Sequence, residues 1–456
     1  MRVTVRGKSS RCRLDGVDCL DRLSVNPVTG VTKHAYARWV FRKFSGPVIT
    51  FLVLFLLPGI TAPVATAVPG VSPSPANSYS RWDATTGFPG AARRITTSGN
   101  VVRLTKPVAK RRYAGRTWKY GTWTSGWVQP GGAGWTFDQL IPSWSITTPR
   151  KTFVEVRLRA RSTSGTISNW KVLGRWASGE WIRRTSSTSQ TDTIAKVATD
   201  TLVAQPGVSL NGYQAQLLLH RGARSGRTPT VRMFSAVASR NRTATTPSAF
   251  GGTVATLAVP TYSQMIHQGH YSQYGGGGAA WCSPTSLTMI LGYYGRLPDP
   301  ASYAWVTRGY PDPYVAQVAR ATYDVGWSGT GNWSFNMAYA NTQGLDAFVT
   351  RLTNLREAEA FIAAGIPLAA SISFGPGQLS GAPISSTPGH LVVIVGFAAD
   401  GSVVVNDPAA PNNTSVRRIY NRSQFEAAWL RKSSGAVYVV HDAAHPLPAR
   451  SAQSAW

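Results

Sequence analysis

Cys282 is the residue whose type and surroundings first suggest chemistry. It is followed by Ser283, Pro284 and apolar residues at helical spacing, so we expect a helix capped by either Cys282 or Ser283. A helix N-terminus stabilises a thiolate, which is the nucleophilic form of cysteine. A cysteine buried as a small apolar residue is the alternative, but the four glycines at 275–278 are untypical of core filling. The position therefore predicts a nucleophile.

A nucleophilic thiolate needs a base and a group that orients the base, and two downstream segments supply both. His390 precedes the apolar run 391–397, and Asp407 follows the run 402–406, with an Ala-Asp-Gly turn between the runs. The runs predict the two strands of a β-hairpin. His390 and Asp407 then lie at the same edge, where Asp407 can fix the imidazole tautomer while the other ring nitrogen faces Cys282. The three residues predict a catalytic triad.

The other histidines and carboxylates give weaker signals. His267 and His270 have a spacing that could present two metal ligands, but a glycine separates them and no acidic residue is close. We therefore predict no metal site, and no motif indicates a cofactor. Three acidic residues stand beside Pro, Tyr or Gly and are expected in turns: Asp299, Asp312 and Asp324.

Charge divides the chain into unlike parts. The 456 residues carry 47 basic and 19 acidic side chains, a net charge of +28. Residues 68–250 hold 26 of the basic and six of the acidic side chains, whereas residues 251–456 hold 11 and ten. This local excess predicts adhesion to an anionic cell-wall polymer or lipid surface. No motif indicates specific nucleic-acid binding, and three cysteines are too few for a disulfide framework.

The basic segment, residues 80–243, alternates apolar and polar residues with the period of half-buried strands. In the run TFVEVRLRAR, at 152–161, the apolar residues are expected in the core. The polar residues of that run are expected on a solvated face: Glu155, Arg157, Arg159 and Arg161. The tryptophans of this segment are expected mostly in the core, with a surface that binds glycans or nucleic acid as the alternative. The segment predicts an all-β sandwich.

The N-terminal part of the chain has the layout of a secretory signal. Residues 48–57 are almost entirely apolar, basic residues precede them, and Ala-Thr-Ala follows at 65–67. An uncleaved membrane anchor is the alternative, because apolar character continues to residue 68. We assign residues 1–67 to an extension with a signal or anchor segment and residues 68–79 to a linker. We expect a secreted protein, either free or associated with the cell wall or membrane.

The residues around the predicted triad resemble a known family. The order Gln-x(n)-Trp-Cys-Ser-Pro-Thr-Ser, Gly-His-Leu-Val-Val-Ile-Val-Gly, Val-Asn-Asp-Pro is similar to that of the C39-like group of papain-fold cysteine peptidases, in its secreted bacterial form. The resemblance covers residues 255–442 and implies an α+β papain-like domain there, with a C-terminal tail at 443–456. The β domain ahead of it also resembles the N-terminal region of such proteins.

The resemblance also implies roles for individual residues. Cys282 would be the nucleophile, His390 the general base and Asp407 the orienting residue, and an upstream glutamine would donate to the oxyanion. Gln264, in a Ser-Gln pair, is our assignment for that glutamine. The segment between it and Cys282 is longer than is usual in the family, so two alternatives stay open: Gln268 and Gln273. The family commonly has glycine after the nucleophile, where this chain has Ser283.

These inferences predict a two-domain cysteine peptidase that hydrolyses a peptide or amide bond of a peptide or protein substrate. Its basic β domain would attach it to an anionic surface. An acyl or peptidyl transferase, or a hydrolase of peptidoglycan stem peptides, could use the same triad. A catalytically inactive adhesive or binding protein is the third alternative.

Overall fold

The computed structural model describes residues 76–106, 109–240, 246–451 and 454–456, which all belong to one compact unit. Residues 76–240, here called the N-terminal region, consist of strands joined by turns. In chain order the strands are β1 Asn77–Trp82, β2 Ala91–Arg93, β3 Ile95–Thr96, β4 Val102–Leu104, β5 Ala109–Tyr113, β6 Arg116–Thr124, β7 Gln139–Thr147, β8 Thr152–Ser162, β9 Lys171–Trp176, β10 Ala195–Ala198, β11 Thr201–Ala204, β12 Leu210–Gly222 and β13 Thr230–Ser239. The helical content of its described residues is one 3₁₀ turn, Ser98–Asn100.

These strands form two antiparallel sheets. The first has the order β10-β11-β7-β13-β4-β3, with β1 also paired to β13. The second has the order β2-β6-β12-β8-β9, with β5 also paired to β6. The predicted alternation is confirmed on the core side of β8, where Val154, Val156, Leu158 and Ala160 are fully buried. A period-two pattern of apolar residues therefore does select the buried face of this strand.

The outer side of β8 differs from the solvated face that the alternation predicted. Glu155 is 0% exposed, because three arginines from three strands bond its carboxylate. The distances from nitrogen to carboxylate oxygen are 3.0 Å for Arg111, 2.7 Å for Arg157 and 2.6 Å for Arg175. A carboxylate surrounded by guanidinium groups is covered by their planes, so the alternation gave the correct side of the strand but the wrong exposure.

The remaining polar residues of β8 lie in a layer of stacked arginines and tryptophans. Arg159 lies 4.6 Å from the ring centre of Trp170 and 5.3 Å from that of Trp127, and Arg161 lies 5.1 Å from Trp127. Six tryptophans of the N-terminal region are buried as predicted: Trp82, Trp118, Trp123, Trp135, Trp144 and Trp176. The arginines that were expected to be free in solvent are therefore held against aromatic rings.

Residues 246–456, the C-terminal region, mix strands with helices. Its strands are β14 Ala255–Thr256, β15 Asp346–Arg351, β16 Leu368–Phe374, β17 Thr387–Phe397, β18 Val403–Asn406, β19 Arg417–Tyr420 and β20 Ala436–His441. Its α-helices are α1 Cys282–Tyr293, α2 Pro313–Thr322, α3 Trp333–Thr342, α4 Leu355–Ala363 and α5 Arg422–Ser433. Its 3₁₀ helices are Met265–His267, Gly278–Ala280, Pro300–Tyr303 and Asn413–Ser415. Together these make a mostly β molecule with few helices.

The C-terminal region contains a third antiparallel sheet, with the order β15-β20-β16-β17-β18-β19 and with β14 paired to β17. The predicted hairpin is confirmed as β17 and β18, in which Val393 lies opposite Asn406. Gly401 in the connecting turn has φ of 81°, a conformation that favours glycine. Asp400 closes the turn by accepting a hydrogen bond from the Ser402 amide at 2.9 Å. The turn thus fixes the register that brings the two strand ends together.

Polar and aromatic contacts join the two regions. On the α3 side, the ring of Phe335 packs edge-on against that of Trp144 in β7, at 6.1 Å. Beside it, Ser334 Oγ donates to the Pro142 carbonyl at 2.6 Å. On the β15 side, the Val349 amide donates to Ser143 Oγ at 2.8 Å. Because these contacts are buried, the N-terminal region is packed against the sheet that carries the candidate site.

The ends of the chain bear on the remaining sequence predictions. The signal or anchor segment within residues 1–67 lies outside the described residues. The predicted linker 68–79 extends too far, because β1 begins at Asn77, which pairs with Ser239 and bonds the Arg351 carbonyl. At the other end Trp456 is buried and packs 4.9 Å from Phe361. Among the helices of the described residues, none is long and apolar enough to span a membrane.

Candidate active site

Cys282 is the first residue of helix α1, where the sequence placed it, but the cap differs. The N-cap residue is Trp281, and no side chain caps the helix, so the predicted capping by Cys282 or Ser283 is wrong. Trp281 takes this position because its ring is buried and donates through Nε1 to the Tyr274 carbonyl at 2.7 Å. Cys282 is partly exposed and lines a cavity, so it combines a helix N-terminus with an open approach.

Ser283 lies beside Cys282, at the position where the resemblance implied a glycine. Its side chain is buried, and its hydroxyl lies 2.8 Å from the hydroxyl of Tyr438. The side chain therefore points into the core, away from the surface on which Cys282 opens. The backbone amide of Ser283 is a hydrogen-bond donor to the Cys282 sulfur.

The structure brings His390 and Asp407 together across the hairpin. His390 Nε2 and Asp407 Oδ1 are 2.8 Å apart, and both side chains are buried. The Ala409 amide donates to Asp407 Oδ1 at 2.9 Å, and the Tyr420 hydroxyl donates to Oδ2 at 2.7 Å. Because Nε2 is engaged by the carboxylate, Nδ1 of His390 is left for Cys282, to which the imidazole is hydrogen-bonded.

These contacts set the protonation states of Cys282 and His390. Burial opposes charge on the imidazole, but Asp407 and the Cys282 sulfur outweigh it and raise the pKa of His390 to about 10. Burial likewise raises the pKa of Cys282, but the bond to His390 and the amides of Leu391 and Ser283 lower it below its ordinary value overall. The charge of His390 also holds the pKa of Asp407 low, against the effect of burial. The arrangement therefore favours a thiolate beside an imidazolium at neutral pH.

Of the three glutamines that the sequence left open, Gln264 is the one that reaches this site. It is buried and lines the same cavity as Cys282 and His390, whereas Gln268 and Gln273 are exposed and do not line it. Its Nε2 donates to the Ala279 carbonyl at 2.7 Å, which leaves a second N–H on the same nitrogen. Its backbone amide donates to the Pro408 carbonyl at 2.8 Å. Gln264 is thus tied to both the glycine-rich segment and the residue after Asp407.

The cavity that is lined by Cys282 and His390 has a volume of about 920 Å³. Its lining includes residues before and at the start of α1, among them Ala279 and Ala280, and the start of β17, from Thr387 to Leu391. Trp327, whose side chain is 45% exposed, also lines it. A peptide segment of several residues fits a cleft of this size and mixed polarity.

The other residues singled out from the sequence do not join the site. Nδ1 of His267 lies 2.9 Å from the Tyr310 hydroxyl, and burial lowers the pKa of His267 to about 4. Asp299 caps a 3₁₀ helix by accepting from the Ala301 amide, the turn role expected for it. Asp324 lies in a turn but is fully buried. Within the described residues, no three metal-binding side chains are grouped as a metal site would require.

Tyr420 is a site residue that the sequence reasoning missed. It lies on β19, which pairs with β18, and its hydroxyl holds the Asp407 carboxylate from the side opposite His390. The predicted hairpin ended at Asp407. The next strand, Arg417–Tyr420, ends in a tyrosine, and that residue was the available signal.

Comparison with protein families accounts for both regions. Residues 256–437 match the model described as the Peptidase C39 like family, and residues 78–239 match the model described as the Peptidase C39 N-terminal domain. The chain belongs to the C39-like peptidase family. This C39-like protein therefore carries two family domains in the order that the sequence resemblance implied. No curated protein matched the chain.

Three solved structures are similar to parts of this C39-like protein. A putative C39-like peptidase from Bacillus anthracis aligns at 18% identity and TM-score 0.27, covering 41% of this chain and 98% of the other. A fragment of prointerpain A from Prevotella intermedia aligns at 16% and 0.25, covering 44% and 76%. Accessory secretory protein 1, 2 and 3 of Streptococcus pneumoniae aligns at 14% and 0.19, covering 35% and 94%. At these TM-scores the likenesses add nothing to the family assignment.

Proposed function

We propose that this C39-like protein is a cysteine peptidase in which Cys282, His390 and Asp407 form the catalytic triad. The observation that carries the proposal is the hydrogen-bonded chain from the Cys282 thiol through His390 to Asp407, in which Nε2 and Oδ1 are 2.8 Å apart. Placement of the thiol at the start of α1 supports a nucleophilic role. The opening of a cleft of peptide size onto Cys282 supports an extended substrate.

In the proposed reaction the Cys282 thiolate attacks the carbonyl carbon of the scissile amide and forms a tetrahedral oxyanion. The Cys282 amide, at the first turn of α1, and the second N–H of Gln264 Nε2 stabilise that oxyanion. The His390 imidazolium gives its proton to the leaving amine, which departs and leaves a thioester on Cys282. His390 then takes a proton from water, whose oxygen attacks the thioester and releases the acid. Asp407 orients the imidazole throughout and stays ionised.

The fold assignment extends the same proposal. We assign a papain-like architecture to residues 255–442 and a β-sandwich to residues 80–243. Helix α1 lying buried against a central antiparallel sheet supports the first assignment. Two antiparallel sheets with a common core that includes Trp144 of β7 and Trp176 of β9 support the second.

The test is incubation of the purified full chain with a peptide library and with cell-wall fragments, followed by mass spectrometry of the products. Hydrolysis predicts new C-termini that carry one heavy oxygen when the reaction is run in ¹⁸O-labelled water. A transferase would instead join the acyl fragment to an added amine without incorporating the label. Absence of any new C-terminus or transfer product across both substrate sets would contradict an enzymatic function and favour a binding protein.

We further propose that the N-terminal region attaches the enzyme to an anionic polymer through a basic groove. The groove has a volume of about 840 Å³, and none of its lining residues is acidic. Its basic residues are all exposed: Arg116, Arg150, Lys151, Arg224 and Arg227. Among the described residues none of these five side chains forms an ion pair, so their charge is available to a ligand. A concave groove suits a phosphate-bearing chain better than a flat bilayer.

Retention of the full chain on wall fragments that carry phosphate polymers tests this attachment. The double variant R224Q/R227Q should elute at lower salt than the wild type, because exposed charges are screened beyond a Debye length of about 10 Å at 0.1 M salt. The matched control is R93Q/K196Q, which removes the same charge from exposed residues outside the groove. An equal loss of retention in both variants would refute binding in the groove. Preferential binding to anionic vesicles would refute a polymer as the ligand.

We also propose that the protein is secreted, with the apolar run at 48–57 as its signal. N-terminal sequencing of the protein recovered from culture medium should give a start near residue 68. Recovery of the intact N-terminus in the membrane fraction would support the anchor instead.

A further inference from the structure

The cleft that contains Cys282 is built from both regions of the chain. Its lining includes four residues of the N-terminal region: Gln139, Ala198, Thr201 and Val203. The same lining includes Cys282 and His390. A substrate that fills this cleft therefore contacts both regions, and the charges along the whole cleft contribute to its selection.

The charges of the cleft are of one sign. Apart from the Cys282 and His390 pair, the ionisable side chains among its described lining residues are Arg351 and Lys432. No aspartate or glutamate lines it. Two cations without a lining carboxylate make a local positive potential, although the C-terminal region as a whole has nearly balanced charge.

Arg351 is a buried cation whose described hydrogen bonds go to neutral oxygens. It is 3% exposed, and its guanidinium donates to Ser239 Oγ and Gln139 Oε1, while Nε has no hydrogen-bond partner. Burial lowers the pKa of Arg351 to about 10, against the opposing influence of Asp138 and Asp200, neither of which lines the cleft. A buried cation whose described hydrogen bonds go to neutral oxygens keeps donor capacity for an anion that enters the cleft.

Lys432 lies in the last turn of α5, exposed, with no ion pair among the described residues. Its neighbour Arg431 is also exposed but lines a separate depression with Gly377 and Gln378. The two adjacent basic residues thus face different surfaces. This difference provides a matched pair for experiment.

From these observations we propose that the cleft selects substrates that carry a carboxylate, with Arg351 and Lys432 as the residues that bind it. The inference rests on the proposed peptidase function for its enzymatic form. The carboxylate comes either from an acidic side chain near the scissile bond or from a free C-terminus. Both sources offer the two acceptor oxygens that a guanidinium binds.

The first test does not depend on catalysis. Iodoacetate and iodoacetamide alkylate the same thiol but differ in charge, so the ratio of their rates at Cys282 reports the potential of the cleft. We expect K432M to lower the iodoacetate to iodoacetamide ratio by roughly 1.4- to 5-fold, the effect of about 0.2–1 kcal/mol for an exposed charge pair. The control R431M should leave the ratio unchanged. An unchanged ratio in K432M, or an equal fall in R431M, would overturn the proposal.

The second test uses peptides that the wild-type protein cleaves. Matched pairs should differ in one group only, either Glu against Gln at each position or a free against an amidated C-terminus, which separates the two sources of the carboxylate. K432M should raise KM for the acidic member and leave kcat nearly unchanged, and the neutral member should be unaffected. Equal kcat/KM for both members of every pair in the wild type would overturn the proposal. Because R351M can loosen the contact between regions, its melting temperature should be measured beside its KM.

Discussion

Replacement of Asp407 by Asn tests whether this carboxylate sustains the thiolate and imidazolium pair. The substitution keeps an oxygen that can accept from His390 Nε2 and removes the negative charge 2.8 Å away. Asp407 is the strongest of the groups that raise the pKa of His390 to about 10. Without it, burial pushes that pKa back toward or below its ordinary 6.5. The imidazole then becomes neutral over most of the physiological range.

The size of the expected effect follows from the pKa values of the histidine and the thiol. A histidine of pKa 6.5 is only about a quarter protonated at pH 7, whereas one of pKa about 10 is almost fully protonated. An ordinary thiol of pKa about 8.5 gains thiolate by roughly 75-fold between pH 6 and pH 8. In the wild type the lowered pKa of Cys282 should make the rise much smaller. Asp407→Asn should restore a steep rise, because the charge that stabilises the thiolate is lost.

Iodoacetamide alkylation at pH 6 and pH 8 measures this rise without knowledge of the substrate. The rate is read by mass spectrometry on the proteolytic peptide that carries Cys282, so that Cys12 and Cys19 do not contribute. D400N is the matched control, because Asp400 is exposed in the turn of the same hairpin. A wild-type rise near that of a free thiol would refute the ion pair. The same change in D400N and D407N would refute the role of Asp407.

Four further substitutions have defined outcomes. Asp407→Ala should lower turnover by about 10²–10⁴-fold, the usual contribution of an oriented general base, while Asn406→Ala should act mainly on stability because Asn406 bonds the Pro260 carbonyl. Glu155→Gln should cost about 3–5 kcal/mol of unfolding free energy at neutral pH by leaving three arginines without their partner. Asp324→Ala should cost about 2–4 kcal/mol, because Asp324 accepts from the amides of Ser186 and Gly326 and from Asn332 Nδ2.

The controls separate these effects from general damage. Burial raises the pKa of Glu155, but its arginines outweigh this and lower it to about 2. Its stabilisation is therefore fully present above the unfolded pKa of about 4.5 and is lost as pH falls through about 2, so melting curves of wild type and E155Q should converge in acid. E180Q, at a half-exposed ion pair, should show little effect. D299A serves as the exposed control for D324A, and equal melting temperatures of wild type and D324A would contradict the role of Asp324 between the regions.

Features set by nearby sequence could be predicted, and features set by distant strands could not. The start of α1 at Cys282 and the hairpin that carries His390 depend on residues within one element or one turn. The burial of Glu155 depends on Arg111 and Arg175, which reach it only after β5, β8 and β9 assemble. An alternating pattern reports the side of a strand on which a residue lies, but it does not report what covers that side.

The lining of the cleft depends even more on residues that are distant in the sequence. Arg351 becomes a cleft residue because Gln139 and Ser239, more than a hundred residues earlier in the chain, bond its guanidinium. Nothing in the local sequence of β15 distinguishes it from a surface arginine. Gln264 was assignable only through the family resemblance, since its approach to the site depends on the Ala279 carbonyl and on the turn after Asp407.

The most direct test of the central claim is the rate at which Cys282→Ala cleaves the best library peptide, relative to the wild type. We expect a loss of at least about 10³-fold, because the nucleophile of the acyl transfer is removed while the cleft stays intact. The double variant C12A/C19A, with the same change at the other two cysteines, should cleave at the wild-type rate. Cleavage by C282A within tenfold of the wild type would refute the cysteine peptidase mechanism, since the bond would then be broken without this thiol.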